Sequence, residues 1–187
     1  MNLPNKLTLL RILLIPVLVV IFFIDALREI TIYQGLNLAY LIAGLIFVVA
    51  SITDFLDGNI ARKRNLVTTF GKFADPLADK ILVISSLLLL MNDGLIHAWI
   101  IIAILAREFI VSGVRMVAVE RGTVIAASKL GKYKTVISMI TIIFMFFNPI
   151  TKLAIVGDVL AYLMVIATVV SGFDYFWKNR QVIFESI

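Results

Sequence analysis

Residues 54–80 read DFLDGNIARKRNLVTTFGKFADPLADK and set four aspartates, Asp54, Asp57, Asp75 and Asp79, into a chain that is otherwise mostly apolar. The apolar run before them predicts a helix that continues over residues 51–60. Asp54 and Asp57, three apart, then share one of its faces. Past a basic turn, Asp75 and Asp79 stand four apart and repeat the arrangement at the start of the next helix. Two such helix ends side by side would aim four carboxylates at one point. Anions that close repel unless a cation lies between them, and an oxygen-only donor set suits Mg2+, Mn2+ or Ca2+. A single aspartate is commonly a solvated helix cap, but four at paired helical spacing between apolar helices point to a divalent-metal site.

The residues between the carboxylates narrow the ligand. Gly58 follows Asp57, and Gly71 precedes Asp75 by four on the same helical face. A glycine beside such a cluster lets a substrate approach the backbone. Arg62, Lys63, Arg64 and Lys72 surround it with cations, and arginine grips phosphate with a two-pronged fork. Metal, cations and open backbone together suit a metal-bridged pyrophosphate.

The rest of the chain sets this motif in a membrane. Of its 187 residues 61% are hydrophobic and 16% charged, and the mean hydropathy is +1.06. Soluble domains run at about 45–50% apolar and about 25% charged. Without cysteine and with His97 alone, the usual zinc donor sets are excluded. The net charge of +5 does not point to nucleic acid, because the basic residues follow membrane topology and form no patch interleaved with aromatics. Anionic lipid head groups and phosphorylated substrates are the expected partners.

Apolar periodicity and breaks predict an all-α, polytopic chain of six transmembrane helices in one domain over residues 1–187. A crossing needs roughly 20 residues. The expected spans are residues 7–24 (a retained span rather than a cleaved signal), 36–52, 73–91, 96–119, 135–147 and 153–176, with a turn at Asn92-Asp93-Gly94 and a basic connection over 120–134. Lys6, Arg11, Arg62, Lys63, Arg64, Lys72, Arg121, Lys129, Lys132, Lys134, Lys178 and Arg180 then fall on one side, against Arg28 and Lys152 on the other. That bias places both termini and the motif at the cytoplasmic face of the cell membrane. Trp99, Tyr175, Phe176 and Trp177 read as interfacial aromatics, and Ser112 and Gly113 as helix-packing residues.

A second constellation sits in the fourth span. Arg107, Glu108 and Arg115 are costly against lipid and should face the bundle, with Glu108 in an ion pair. Arg107 and Arg115, eight apart, lie near one face, and with Lys132 and Lys134 they suit an acceptor that carries its own phosphate. From the first span, Thr8 and Arg11 could flank the aspartate pocket, unless Arg11 snorkels to the interface.

Asp54-x-x-Asp57-Gly58-x-x-Ala61-Arg62, eight residues, then Gly71-x-x-x-Asp75-x-x-x-Asp79 resembles, at every fixed position, the signature of the CDP-alcohol phosphotransferases. These are membrane enzymes that join an alcohol to a phosphatidyl or similar group with loss of CMP. The segments NLPNKLTLLR (2–11), VASITDFLDGNIAR (49–62), FADPLADK (73–80) and ILAREFIVSGVR (104–115) look like the branch that uses glycerol 3-phosphate. The resemblance implies the family's fold and a homodimer. It implies Asp54, Asp57, Asp75 and Asp79 as ligands of Mg2+ or Mn2+, and Asp79 as general base. It implies Asp54, Gly58, Ala61, Arg62, Gly71 and Asp75 around the nucleotide of CDP-diacylglycerol, with Arg107, Arg115, Lys132 and Lys134 our expectation for the acceptor phosphate. Two other readings are a sibling enzyme with another acceptor (inositol phosphate, serine or phosphatidylglycerol) and a divalent-cation transporter.

Overall fold

The computed structural model describes residues 3–33, 35–63, 69–120, 122, 125–126, 128–149 and 154–180, but not the side chains of 3–4, 55–63, 69–70, 72–73 and 154. The chain is all-α apart from one small hairpin. Its helices are α1 (Leu3–Phe22), α2 (Asp25–Glu29), α3 (Leu38–Lys63), α4 (Thr69–Asn92), α5 (Ala98–Glu120), α6 (Lys129–Phe147) and α7 (Ala154–Lys178). Strands β1 (Thr31–Tyr33) and β2 (Leu36–Asn37) pair antiparallel between α2 and α3. The helix expected over residues 51–60 is present, because α3 runs on through the first aspartate pair to Lys63. Among the described residues, three helical stretches are long and apolar enough to cross a membrane: Asn5–Phe22, Lys129–Phe147 and Ile155–Lys178. Helices α3, α4 and α5 are also long, but they carry the charges of the two constellations.

Two compact units divide the chain, residues 1–95 with 142–154 and residues 96–141 with 155–187. In the first, α1 packs along α3 and α4. Its core is a cluster of rings. Phe22 lies 5.1 Å from Tyr40 between ring centroids, and Phe146 sits 6.4, 6.1 and 6.2 Å from Phe22, Tyr40 and Phe47. Gly44 lets the end of α6 approach α3, since a Cβ there would come within 3.1 Å of Phe146 and Phe147. At the end of α4 remote from the aspartates, Asp93 accepts hydrogen bonds from Arg28 (2.7 Å) and Tyr40 (2.8 Å). The bond to Asp93 raises the Arg28 pKa above its ordinary value, and the guanidinium also lies over the Phe22 ring at 5.1 Å. This clamp fastens α2 to α3 and α4.

In the second unit Val111, Val114 and Tyr175 form a buried core against Ile125. Buried hydroxyls return to their own helices: Ser138 donates to the Lys134 carbonyl, Thr168 to Met164 and Ser171 to Thr168. Such self-satisfaction is what a solvent without hydrogen-bonding groups demands. The outer faces are apolar, with Phe109 and Met116 73% exposed and Ile155 75% exposed. Exposed apolar surface on this scale fits hydrocarbon rather than water.

Three local readings change. The basic connection ends earlier than expected. Lys129 to Lys134 are already helical, with the Ser128 side chain capping the Gly131 N–H at 3.0 Å in the N-cap position of α6. Tyr175 is not interfacial but 2% exposed, because its hydroxyl has a partner inside the unit. Gly113 is exposed with open space where a Cβ would stand, so none of the described residues of the chain packs closely on it.

Candidate active site

Three helices of the first unit build the aspartate site. The backbone of α3 carries Asp54, Asp57, Gly58, Ala61 and Arg62, and that of α4 carries Gly71, Asp75 and Asp79. Helix α1 supplies the contacts. Arg11 NH1 lies 2.7 Å from Asp54 Oδ1, with the arginine side chain wholly buried and the carboxylate about one-third exposed, at 34%. The Thr8 hydroxyl, also buried, donates to Asp75 Oδ1. Thr8 and Arg11 stand three apart, so one face of α1 touches the first aspartate of each pair. Arg11 therefore does not snorkel. A buried guanidinium is stable only beside an anion, and Asp54 is that anion.

Gly71 is buried at the start of α4, where no side chain stands between the backbone and a ligand. Pro76, next to Asp75, has no N–H to give to the carbonyl of residue 72 and leaves that acceptor outside the helix ladder. The side chains of Asp57, Ala61 and Arg62, and the surroundings of Gly58, fall outside the described set. Among the described residues no three acidic or histidine side chains gather as a metal-holding group. The donor chemistry nevertheless fits a hard divalent cation. Every motif donor is a carboxylate, the donor type such a cation takes, His97 is exposed between α4 and α5, and Arg11 and Thr8 contact two of these carboxylates from α1.

The second constellation lies in the second unit. Glu108 Oε1 accepts from Arg107 NH1 at 2.9 Å and from Lys134 Nζ at 2.7 Å, and the side chains are 13–15% exposed for the first two and 7% for the lysine. One carboxylate thus binds two cations and leaves one net positive charge. The Nε of Arg107 is buried without a hydrogen-bond partner among the described residues. Two glycines cradle this arginine: a Cβ on Gly172 would lie 3.1 Å from its Cγ, and one on Gly131 3.3 Å from NH2. Arg115 takes a different neighbour. Its Nε donates to the Tyr175 hydroxyl at 3.2 Å and its guanidinium lies 5.6 Å from the ring centroid. Lys132 is exposed. Of the four expected phosphate-binding cations, the structure joins Arg107 and Lys134 through Glu108, while Arg115 stands on Tyr175. Sequence reasoning expected Glu108 to be ion-paired and missed Tyr175, whose position four before Asn179 near the chain end gave no signal.

The family model for CDP-alcohol phosphatidyltransferase matches residues 1–172. A relative from Bacillus subtilis (strain 168), named CDP-diacylglycerol–glycerol-3-phosphate 3-phosphatidyltransferase, is 42% identical over 187 residues, covering 97% of this chain and 97% of its own. A protein of the same name from Rickettsia typhi is 39% identical over 179 residues, 94% of this chain and 95% of its own. A third, from Salmonella choleraesuis, is 34% identical over 185 residues, 96% and 95% of the two chains. With the paired aspartates on α3 and α4, the signature glycines beside them and a match over nearly its whole length, the chain belongs to the CDP-alcohol phosphatidyltransferase family.

Proposed function

We propose that this chain transfers the phosphatidyl group of CDP-diacylglycerol to the 1-hydroxyl of sn-glycerol 3-phosphate, giving phosphatidylglycerophosphate and CMP. The observation that carries the reading is the full-length similarity to relatives that bear the name of this one reaction. Asp54, Asp57, Asp75 and Asp79 would hold Mg2+ or Mn2+, which when bound draws charge off the phosphate under attack and off the departing CMP. The protein's own residues do the rest. The Asp79 carboxylate takes the proton of the glycerol 1-hydroxyl. That oxygen bonds to the phosphorus next to diacylglycerol, the bond from this phosphorus to the CMP oxygen breaks, and CMP leaves with the electron pair. Arg11 keeps the Asp54 carboxylate in one position and Thr8 does the same for Asp75, so neither must reorganise during transfer. Gly58, Ala61, Arg62 and Gly71, with Asp54 and Asp75, cradle the cytidine nucleotide. Arg107, Arg115, Lys132 and Lys134 receive the acceptor phosphate. Arg107 and Lys134 are already held by Glu108, which limits the side-chain freedom lost on binding.

In the membrane, α1 and α3 to α7 form six spans, with α2 and the hairpin on the outer side and the aspartates and both termini on the cytoplasmic side. The lysine and arginine bias supports this orientation. A homodimer is the expected assembly.

The test is CMP release by the purified protein with CDP-diacylglycerol and Mg2+, with glycerol 3-phosphate, inositol phosphate, serine and phosphatidylglycerol offered separately. Release with glycerol 3-phosphate alone, lost in Asp79→Asn, is the expected outcome. Release with a different acceptor would keep the family and overturn the acceptor assignment.

A further inference from the structure

Both arginines of α5 rest on one face of α7. Gly172 and Tyr175 stand three apart and share that face. Gly172 receives the stem of Arg107, since a Cβ there would lie 3.1 Å from its Cγ. Tyr175 receives Arg115. The tyrosine is 2% exposed and packs with Val111 and Val114 of α5 against Ile125, and the Asn179 side chain donates to its carbonyl at 2.7 Å. Ring and backbone are both held, so the hydroxyl is a fixed point inside an apolar cluster. To that oxygen Arg115 donates its Nε–H at 3.2 Å, and its guanidinium carbon lies 5.6 Å from the ring centroid.

The two arginines differ in what is left for a ligand. Arg107 NH1 is taken by the Glu108 carboxylate, which offsets its charge. Tyr175 is neutral. A hydroxyl oxygen and a ring face orient a guanidinium without cancelling its charge. Arg115 is exposed although Tyr175 is buried, and among the described residues its NH1 and NH2 meet no acceptor. With Nε held from behind, these two nitrogens are the outer edge of the fork, an edge that can grip two oxygens of one phosphate. An arginine already laid on a fixed ring gives up less side-chain freedom on binding than one free on its stem.

We infer that Tyr175 is a positioning residue for the acceptor: it takes the Nε–H of Arg115 and seats the guanidinium on its ring, so that NH1 and NH2 are presented to the phosphate of glycerol 3-phosphate. The inference rests on the reaction proposed above and adds to it a residue that acts through Arg115 and touches no substrate itself. It makes acceptor affinity a property of the packing of α7 on α5, and it separates two kinds of cation in the second unit. Arg107 is held by a charge, and Arg115 is held by a neutral group that leaves its charge whole.

The test is Tyr175→Phe in the intact protein, which keeps the ring and its packing and removes the oxygen that Nε meets. KM for glycerol 3-phosphate should rise about tenfold, with kcat and KM for CDP-diacylglycerol within about twofold. Tyr162→Phe, at an exposed tyrosine of the same helix, should change none of the three. In an Arg115→Met background, Tyr175→Phe should have no further effect on the acceptor KM, because the residue through which it acts is gone. An unchanged acceptor KM, a loss confined to kcat and melting temperature, or an equal rise in the Arg115→Met background overturns the inference. A second measurement does not depend on turnover. Phenylglyoxal modifies exposed arginines, and mass spectrometry reads the extent at Arg115. Glycerol 3-phosphate should protect Arg115 where glycerol does not, and half-protection should need about tenfold more of it in Tyr175→Phe. CMP release without protection of Arg115 removes this inference alone. Protection that weakens in Tyr175→Phe, without CMP release, keeps the phosphate site and removes the reaction.

Discussion

Replacing Arg11 with methionine keeps the length and apolar stem of the side chain and deletes a buried guanidinium 2.7 Å from Asp54. Breaking a buried ion pair from one side costs about 3–5 kcal/mol, because the other charge is left uncompensated. Here that other charge is Asp54, whose carboxylate is 34% exposed and recovers part of its hydration. The expected loss is therefore at the low end, about 3 kcal/mol. At about 2–4 °C per kcal/mol for a chain of this size, the purified protein should melt about 6–12 °C lower. The assay is thermal unfolding in detergent as a double-mutant cycle with Asp54→Asn. If the two side chains act as a pair, the double variant is more stable than the sum of the singles predicts by about 2 kcal/mol. CMP release should fall in Arg11→Met together with stability, and added Mg2+ should stabilise this variant more than the unsubstituted protein, since Asp54 then lacks its resident cation. Effects that add to within about 0.5 kcal/mol would refute the pairing and return Arg11 to a simple interfacial role.

In the second unit, Glu108→Gln removes the charge that binds Arg107 and Lys134 and should lower stability by about 2–4 kcal/mol, read by the same unfolding assay. Lys134→Met should raise KM for glycerol 3-phosphate by about tenfold or more with a smaller change in KM for CDP-diacylglycerol, measured by CMP release; equal changes in both would remove Lys134 from the acceptor site. Gly44→Ala drives a methyl group to 3.1 Å from Phe146 and Phe147 and should cost about 1–3 kcal/mol, with the melting temperature as readout.

The long helices and the carboxylate motif were legible because each rests on local pattern. Apolar runs located the long helices, three of which are long and apolar enough to cross a membrane, and the spacing of Asp54 with Asp57 and of Asp75 with Asp79 set each pair on one helical face. What escaped depends on which faces meet. Arg11 in an apolar helix has two physical solutions, the interface or a buried anion, and only the packing of α1 on α3 selects the second. Residues 25–37 carry no helical or alternating apolar pattern that announces α2 and the hairpin; α2 is held instead by Arg28 and Asp93, residues 65 apart in sequence, and the hairpin by its own strand pairing. Lys129 to Lys134 read as a loop from their charge, although Ser128 was a capping signal. Tyr175 looked interfacial by composition, and its burial follows from Arg115, 60 residues earlier.

The Asp93 clamp also sets a fulcrum. It ties the end of α4 to α2 and α3, while Asp75 and Asp79 lie near the opposite end of the same helix. Helix α4 is 24 residues long, and Asp75 stands 18 residues from Asp93, a lever arm of about 27 Å at 1.5 Å per residue. A tilt of about 5° about the clamp would carry the carboxylate backbone roughly 2 Å over that arm, while leaving the Arg28 and Tyr40 bonds almost undisturbed. Loosening the clamp at Arg28 or Asp93 is therefore expected to load the Thr8 contact to Asp75, which holds the other end of the lever, several helical turns away.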